Sequence, residues 1–125
     1  MADDSKKIIL IVDNSFLSVK LESDLLEKNG FKVLRASCGK EAFDILKFST
    51  PDLILLDINL PDITGYEIFN QIKQDERFKN VKILAVSGSV MKEDEWKIES
   101  TGFDGFITKP IDIKDFVKQV KDRVI

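Results

Sequence analysis

Asp57 follows directly on the apolar run Leu53-Ile54-Leu55-Leu56, a position where an unbalanced carboxylate is expensive to bury. Four more polar groups stand in the same relation to strand-like segments: Asp13 and Asn14 after 8–12, Ser87 after 83–86 and Lys109 after 105–108. If those segments are strands of one parallel sheet, ligands sit beyond their C-terminal ends and the five groups converge on one edge. Two carboxyls converging with an amide oxygen and a backbone carbonyl describe a hard, oxygen-ligand cation site, for which Mg²⁺ is the natural occupant. A carboxylate nucleophile beside such a cation, a lysine and a hydroxyl is suited to accepting a phosphoryl group. The cation and Lys109 would neutralise the transferred oxygens.

Each residue also has a plainer reading. Asp13, Asn14 and Ser15 are all good helix N-caps, and capping accounts for at least one of them. Lys109 also reads as a surface lysine before a strand-ending proline, Pro110, and Ser87 as a polar turn residue beside Gly88 and Ser89. The plain reading is weakest for Asp57, because Asp13 beside it would repel a second anion.

The elements that must position these groups follow from periodicity. The runs 8–12, 53–56 and 83–86 are continuously apolar, without the alternation of a half-exposed strand, so they belong in the centre of the sheet. Phe16, Leu17, Leu21, Leu25 and Leu26 recur at helical spacing and predict a first helix from about Ser15 to Asn29, stopped by Gly30. A second strand is expected over 31–36, with helices over 40–48, 65–74 and 91–101, the last stopped by Gly102. A short fifth strand, 105–108, precedes a last helix marked by Ile113, Phe116, Val117 and Val120. Five βα units predict an α/β fold, one doubly wound parallel sheet with helices on both faces.

Composition narrows the function. The 125 residues, 43% hydrophobic, suit one domain, with only 1–7 expected to be disordered. Nineteen Lys and Arg against 22 Asp and Glu, scattered to a net charge of −3, argue against a nucleic-acid face. The longest apolar run falls far short of the roughly 20 residues that cross a bilayer, and 1–7 has no signal-peptide core, so a soluble, cytoplasmic, membrane-free protein is expected. Cys38 is the single cysteine, which excludes an internal disulfide. The absence of histidine removes His-based triads and His-ligated zinc. Neither a P-loop nor a dinucleotide fingerprint follows the first strand.

With these residues in place, the chain from about Ile8 to Val124 resembles the receiver domain of two-component response regulators. The likeness is carried by Ile11-Val12-Asp13-Asn14, Pro51-Asp52 through Asp57, Asn59-Leu60-Pro61, Gly65, Ser87-Gly88 and Gly105-Phe106-Ile107-Thr108-Lys109-Pro110. It implies a flavodoxin-like sheet of order 2-1-3-4-5 with five flanking helices, filling residues 8–125. It further implies that Asp57 accepts phosphate, with Mg²⁺, from a histidine kinase or histidine phosphotransfer protein. Lys109 becomes the phosphate-contacting lysine, Ser87 the switch hydroxyl, Phe106 the aromatic switch, and the backbone carbonyl of Asn59 a metal ligand beside Asp13, Asn14 and Asp57. A cis peptide before Pro110 is common in the family. A downstream protein target is expected on the face of the fourth helix, fifth strand and fifth helix, with Trp96 as core or rim. With no residues left after the last helix for an output domain, action through protein contact or phosphorelay is expected. Asn59 and Ser89 flank the phosphosite and should tune phosphate lifetime.

The chain departs from the family at Asn14, where a second acidic residue usually joins in binding Mg²⁺; an amide oxygen coordinates but brings no charge. Phe106 is often Tyr in the family, and without the phenol inward packing is favoured. The leading expectation is a signalling switch rather than an enzyme. The alternative is a pseudo-receiver, a phosphorylation-independent interaction module, motivated by Asn14. A phosphatase with an Asp13 nucleophile ranks last, because Asn14-Ser15 follows where that class resembles Asp-x-Asp.

Overall fold

Three strands with no polar residue to spare on either side need cover on both faces, and the fold supplies it. A computed structural model describes residues 6–88 and 92–124, leaving aside the side chains of Lys92 and Glu93. Five parallel strands, β1 (Ile8–Val12), β2 (Lys32–Ala36), β3 (Leu53–Asp57), β4 (Lys82–Ser87) and β5 (Gly105–Thr108), form one sheet in the order β2-β1-β3-β4-β5. Helices α1 (Phe16–Lys28) and α5 (Ile113–Val124) cover one face; α2 (Gly39–Leu46), α3 (Gly65–Lys73) and α4 (Lys92–Thr101) cover the other. Alternate residues of each central strand feed the two cores: Leu10, Ile54 and Ile83 pack with Ile68 and Ile98, while Ile9, Leu55 and Leu84 pack with Leu26 and Phe116. Each such burial contributes about 1.5–3 kcal/mol.

The fold class, strand order and helix count are those expected from sequence, with boundaries displaced by a residue or two. A 3-10 turn, Glu76–Phe78, was not foreseen; it buries Phe78. Gly30 (φ +89°) and Gly102 (φ +113°) end α1 and α4 in the same way. Each glycine N–H reaches back to Glu27 or Glu99, and the next residue's N–H to Leu26 or Ile98, a Schellman closure. Residues 1–5 of the expected disordered segment, Ser89 and Met91 lie outside the described residues.

Two expectations about faces are corrected. The apolar recurrence located α1 but not its rotation: Phe16 and Leu17 are 77% exposed and Leu21 41%, whereas Glu22, Ser23 and Leu26 point inward. Ser15 caps this helix, its hydroxyl accepting the Ser18 N–H at 3.3 Å, and so sets where the turn begins. Trp96 is not core but 71% exposed, because α4 turns Ile98, two residues on, into the core.

Candidate functional site

Register brings the polar groups level. Val12 pairs with Leu56, Asp57 with Val86 and Ser87 with Thr108, so Asp13, Asp57, Ser87 and Lys109 all leave the sheet within about one residue of the same height. Backbone bonds from Asp13 N–H to Ala36, Ile58 N–H to Val86 and Lys109 N–H to Ser87 carry the ladder past the strand ends and hold these junctions.

Lys109 Nζ lies 2.6 Å from Asp13 Oδ2 and 3.7 Å from Asp57 Oδ2. Its side chain is only 19% exposed, so it is no ordinary surface lysine. The Asp13 contact is an ion pair off the hydrogen-bonding direction, which leaves Oδ2 without a directed donor. Asp13 Oδ1 accepts the Ser15 N–H at 2.8 Å, and Asp57 Oδ1 accepts the Asn59 N–H at 3.0 Å. Burial raises the Asp57 carboxyl above the usual aspartate range; the Asn59 N–H and Lys109 oppose the rise, and Asp13 adds to it. Burial alone would lower the Lys109 ammonium, but Asp13, then Asp57 and Glu22, outweigh it and hold the pKa above the ordinary lysine value.

The capping role that competed for Asn14 belongs to Ser15. Asn14 is exposed and lines, with Asp13, Arg35 and Ser37, a pocket of about 220 Å³ beside β1 and β2. Ser87 is buried, and Asn59 lines with it a second pocket bounded by Tyr66 and α4. Phe106 is half-buried and packs against the core. The Lys109–Pro110 peptide is cis.

Gly65, one of the residues that carry the family likeness, does not have a positive φ. A Cβ there would stand 2.7 Å from the Asp57 carbonyl oxygen and 2.8 Å from the Ile58 Cα, so close approach of backbone is what demands glycine.

Two residues escaped the sequence reading. Asp62, in the loop after Asp57, accepts the N–H groups of Gly39 (2.9 Å) and Lys40 (3.0 Å), tying that loop to the start of α2. Glu22, on the inward side of α1, is 1% exposed, and its carboxyl is pushed up to about 8 by burial and then by Asp13, with Lys109 opposing and Asp57 adding. Its signal was faint: a polar position at the spacing Ser18, Glu22, Leu26, inside a helix whose apolar residues suggested the opposite face.

The donors fit a hard divalent cation by type, since all are oxygen and Asp13 Oδ2 lacks a directed partner. They are short of charge: no group of three or more His, Cys, Asp or Glu side chains is clustered for a metal among the described residues.

A doubly wound sheet of order 2-1-3-4-5, with two acids and a lysine at its C-terminal edge, defines a CheY-like domain of flavodoxin fold. The family model described as "Response regulator receiver domain" matches residues 9–121, and the chain belongs to that family. The polar-differentiation response regulator DivK of Brucella ovis is 37% identical over 115 residues, covering 92% of this chain and 94% of that one. The chemotaxis response regulator CheY4 of Vibrio cholerae superposes with a TM-score of 0.89 at 26% identity, over 97% of this chain and 100% of that one. The phosphorylated cyanobacterial phytochrome response regulator RcpA superposes with a TM-score of 0.80 at 28% identity, over 94% and 91% of the two chains. Receiver domains generally use Mg²⁺ and interact with histidine kinases or phosphotransfer proteins and with downstream targets. No helix among the described residues is long and apolar enough to cross a membrane.

Proposed function

We propose that this receiver domain is a phosphorylation switch in which Asp57 is the phosphoacceptor. The observation that carries the reading is Asp57 itself, a buried carboxylate level with Asp13 and 3.7 Å from the Lys109 ammonium. An Asp57 Oδ attacks the phosphorus of a phosphohistidine on the donor protein; the new P–O bond replaces the P–N bond and the imidazole leaves. These 125 residues contain no histidine, so the donor imidazole lies outside this domain. Asp13, Asn14, Asp57 and the Asn59 backbone carbonyl would hold Mg²⁺, which when bound supplies positive charge for the phosphoryl oxygens. Lys109 swings from Asp13 to the arriving phosphoryl group, Ser87 donates its hydroxyl to it, and Phe106 repacks with that movement. RcpA, a neighbour in fold, is described as phosphorylated, which supports the reading.

Exposed Leu17 and Leu21 share a pocket with Pro110 and Ile111 beside this edge, a surface suited to a phosphodonor's apolar helix. Exposed Trp96 on α4 favours the face of α4, β5 and α5 for a downstream protein. The test is incubation of the full chain with Mg²⁺ and a small phosphodonor, followed by intact-mass measurement. Gain of one phosphoryl group by the native chain and none by Asp57→Asn is expected; no Asp57-dependent gain counts decisively against the reading.

Asn14, in a site with two carboxylates, favours a second reading, a pseudo-receiver that binds its partner without phosphate. Partner affinity unchanged in Asp57→Ala would establish it, and strict dependence on Asp57 would exclude it. The same asparagine should weaken Mg²⁺ binding: Asn14→Asp is expected to bind the ion about tenfold more tightly, for a gain on the order of 1 kcal/mol from the added charge. Equal affinities in a fluorescence titration would refute this.

A further inference from the structure

α1 carries a carboxyl group with no partner. Both Glu22 oxygens are buried and, among the described residues, neither makes a hydrogen bond, to Asp13, Asp57 or any other group. The groups acting on it from the elements around it are Asp13 at the end of β1, Asp57 at the end of β3 and Lys109 after β5. Arg35 of β2 is engaged by Ser23 and Glu27, and α5 brings Phe116, Val117 and Val120 to this layer. Among the described residues, Lys109 is therefore the one cation that acts on Glu22. The two side chains line the same pocket of about 160 Å³, with Leu17, Ser18, Leu21 and Pro110. Lysine's four-carbon stem lets its ammonium exchange partners within such a space. A buried ionised carboxylate without a donor is the costliest arrangement open to the site, so a charged Glu22 must recruit that ammonium.

Building on the Asp57 reading, we propose that Glu22 is a positioning residue for Lys109: the protonated carboxyl leaves the ammonium with Asp13 and Asp57, and the ionised one draws it back toward α1 and slows phosphoryl acceptance. Phosphorylation of this domain is thereby coupled to pH through a residue that touches neither phosphate nor metal.

The experiment follows phosphorylation of the full native chain, Glu22→Gln and Glu22→Leu by phosphoramidate with Mg²⁺, from pH 6.5 to 9.5. Taking the ratio of native to variant rate cancels the pH dependence of the donor and of Asp57. Because the Glu22 carboxyl holds its proton to about pH 8, the ratio should drop several-fold between about pH 7 and about pH 9. The ¹⁵N resonance of Lys109 Nζ in the native chain should shift with the same midpoint as the Glu22 carboxyl ¹³C resonance. A pH-independent rate ratio, or a Lys109 resonance that ignores the Glu22 titration, overturns the inference and leaves the phosphoacceptor reading standing. Absence of phosphorylation in all three proteins at every pH overturns the Asp57 reading and this inference with it.

Discussion

Glu22→Leu is expected to make the protein more stable, and increasingly so as pH rises. The folded chain keeps a proton on Glu22 up to about pH 8, whereas the unfolded chain surrenders it near 4.5. Between those values the folded state binds more protons than the unfolded one, so stability falls with rising pH, on the order of 1 kcal/mol per unit, and levels off above about 8. Even the neutral acid leaves buried polar atoms without partners, at a cost of about 1–3 kcal/mol. Leucine removes both penalties and fills an inward position beside Leu26 and the α5 face. We expect a gain of about 1–2 kcal/mol at pH 5 and of several kcal/mol at pH 8, read from urea denaturation at both values. A gain that does not grow with pH would show that Glu22 is not protonated in the fold.

Lys109→Met should act in the opposite direction. It strips the cation from Asp13, which is 2% exposed, and breaking a buried pair from one side costs about 3–5 kcal/mol. The methionine stem restores part of the packing, so a loss of about 2–3 kcal/mol at pH 7.5 is expected. Because the Lys109 pKa is raised above 10.5, the ammonium stays charged below that value and gives up its proton only as pH climbs through the raised one. The deficit should therefore persist from pH 7 to 9, unlike the Glu22 effect. Phosphoryl acceptance should fall by about 10²–10³, the usual consequence of removing one group aimed at developing phosphoryl charge. A variant of unchanged denaturation midpoint and undiminished phosphorylation rate would remove Lys109 from both roles.

The two variants test opposite ends of one electrostatic arrangement. Asp13 and Asp57 are mutually repulsive, and Lys109 is what allows both to remain beside each other. Glu22 adds a third acid whose charge would act on the same ammonium, so a neutral Glu22 spares the site a further buried anion.

Much of this was visible in residue order. A strand covered on both faces must be apolar throughout, so 8–12, 53–56 and 83–86 announced themselves. A parallel sheet delivers all its βα turns to one edge, so the first polar residue after each run marked Asp13, Asp57, Ser87 and Lys109. Gly30 and Gly102 were legible because a left-handed closure strongly favours glycine. Other features needed the third dimension. Period shows which residues share a helix face but not which way that face turns; α1 points Glu22 inward and Phe16 outward because Ser15 and the Asp13 junction set its phase. Gly65 is required by a carbonyl that only folding brings to it, and Asp62 by helix N–H groups more than 20 positions away. Local pattern thus settled the elements and the edge where chemistry gathers, because burial on both faces leaves a mark on every residue of a strand. Distances between residues remote in the chain settled the rest, above all the sharing of Lys109 between Asp13 and Asp57, because electrostatics depends on separations in space that no spacing along the chain encodes.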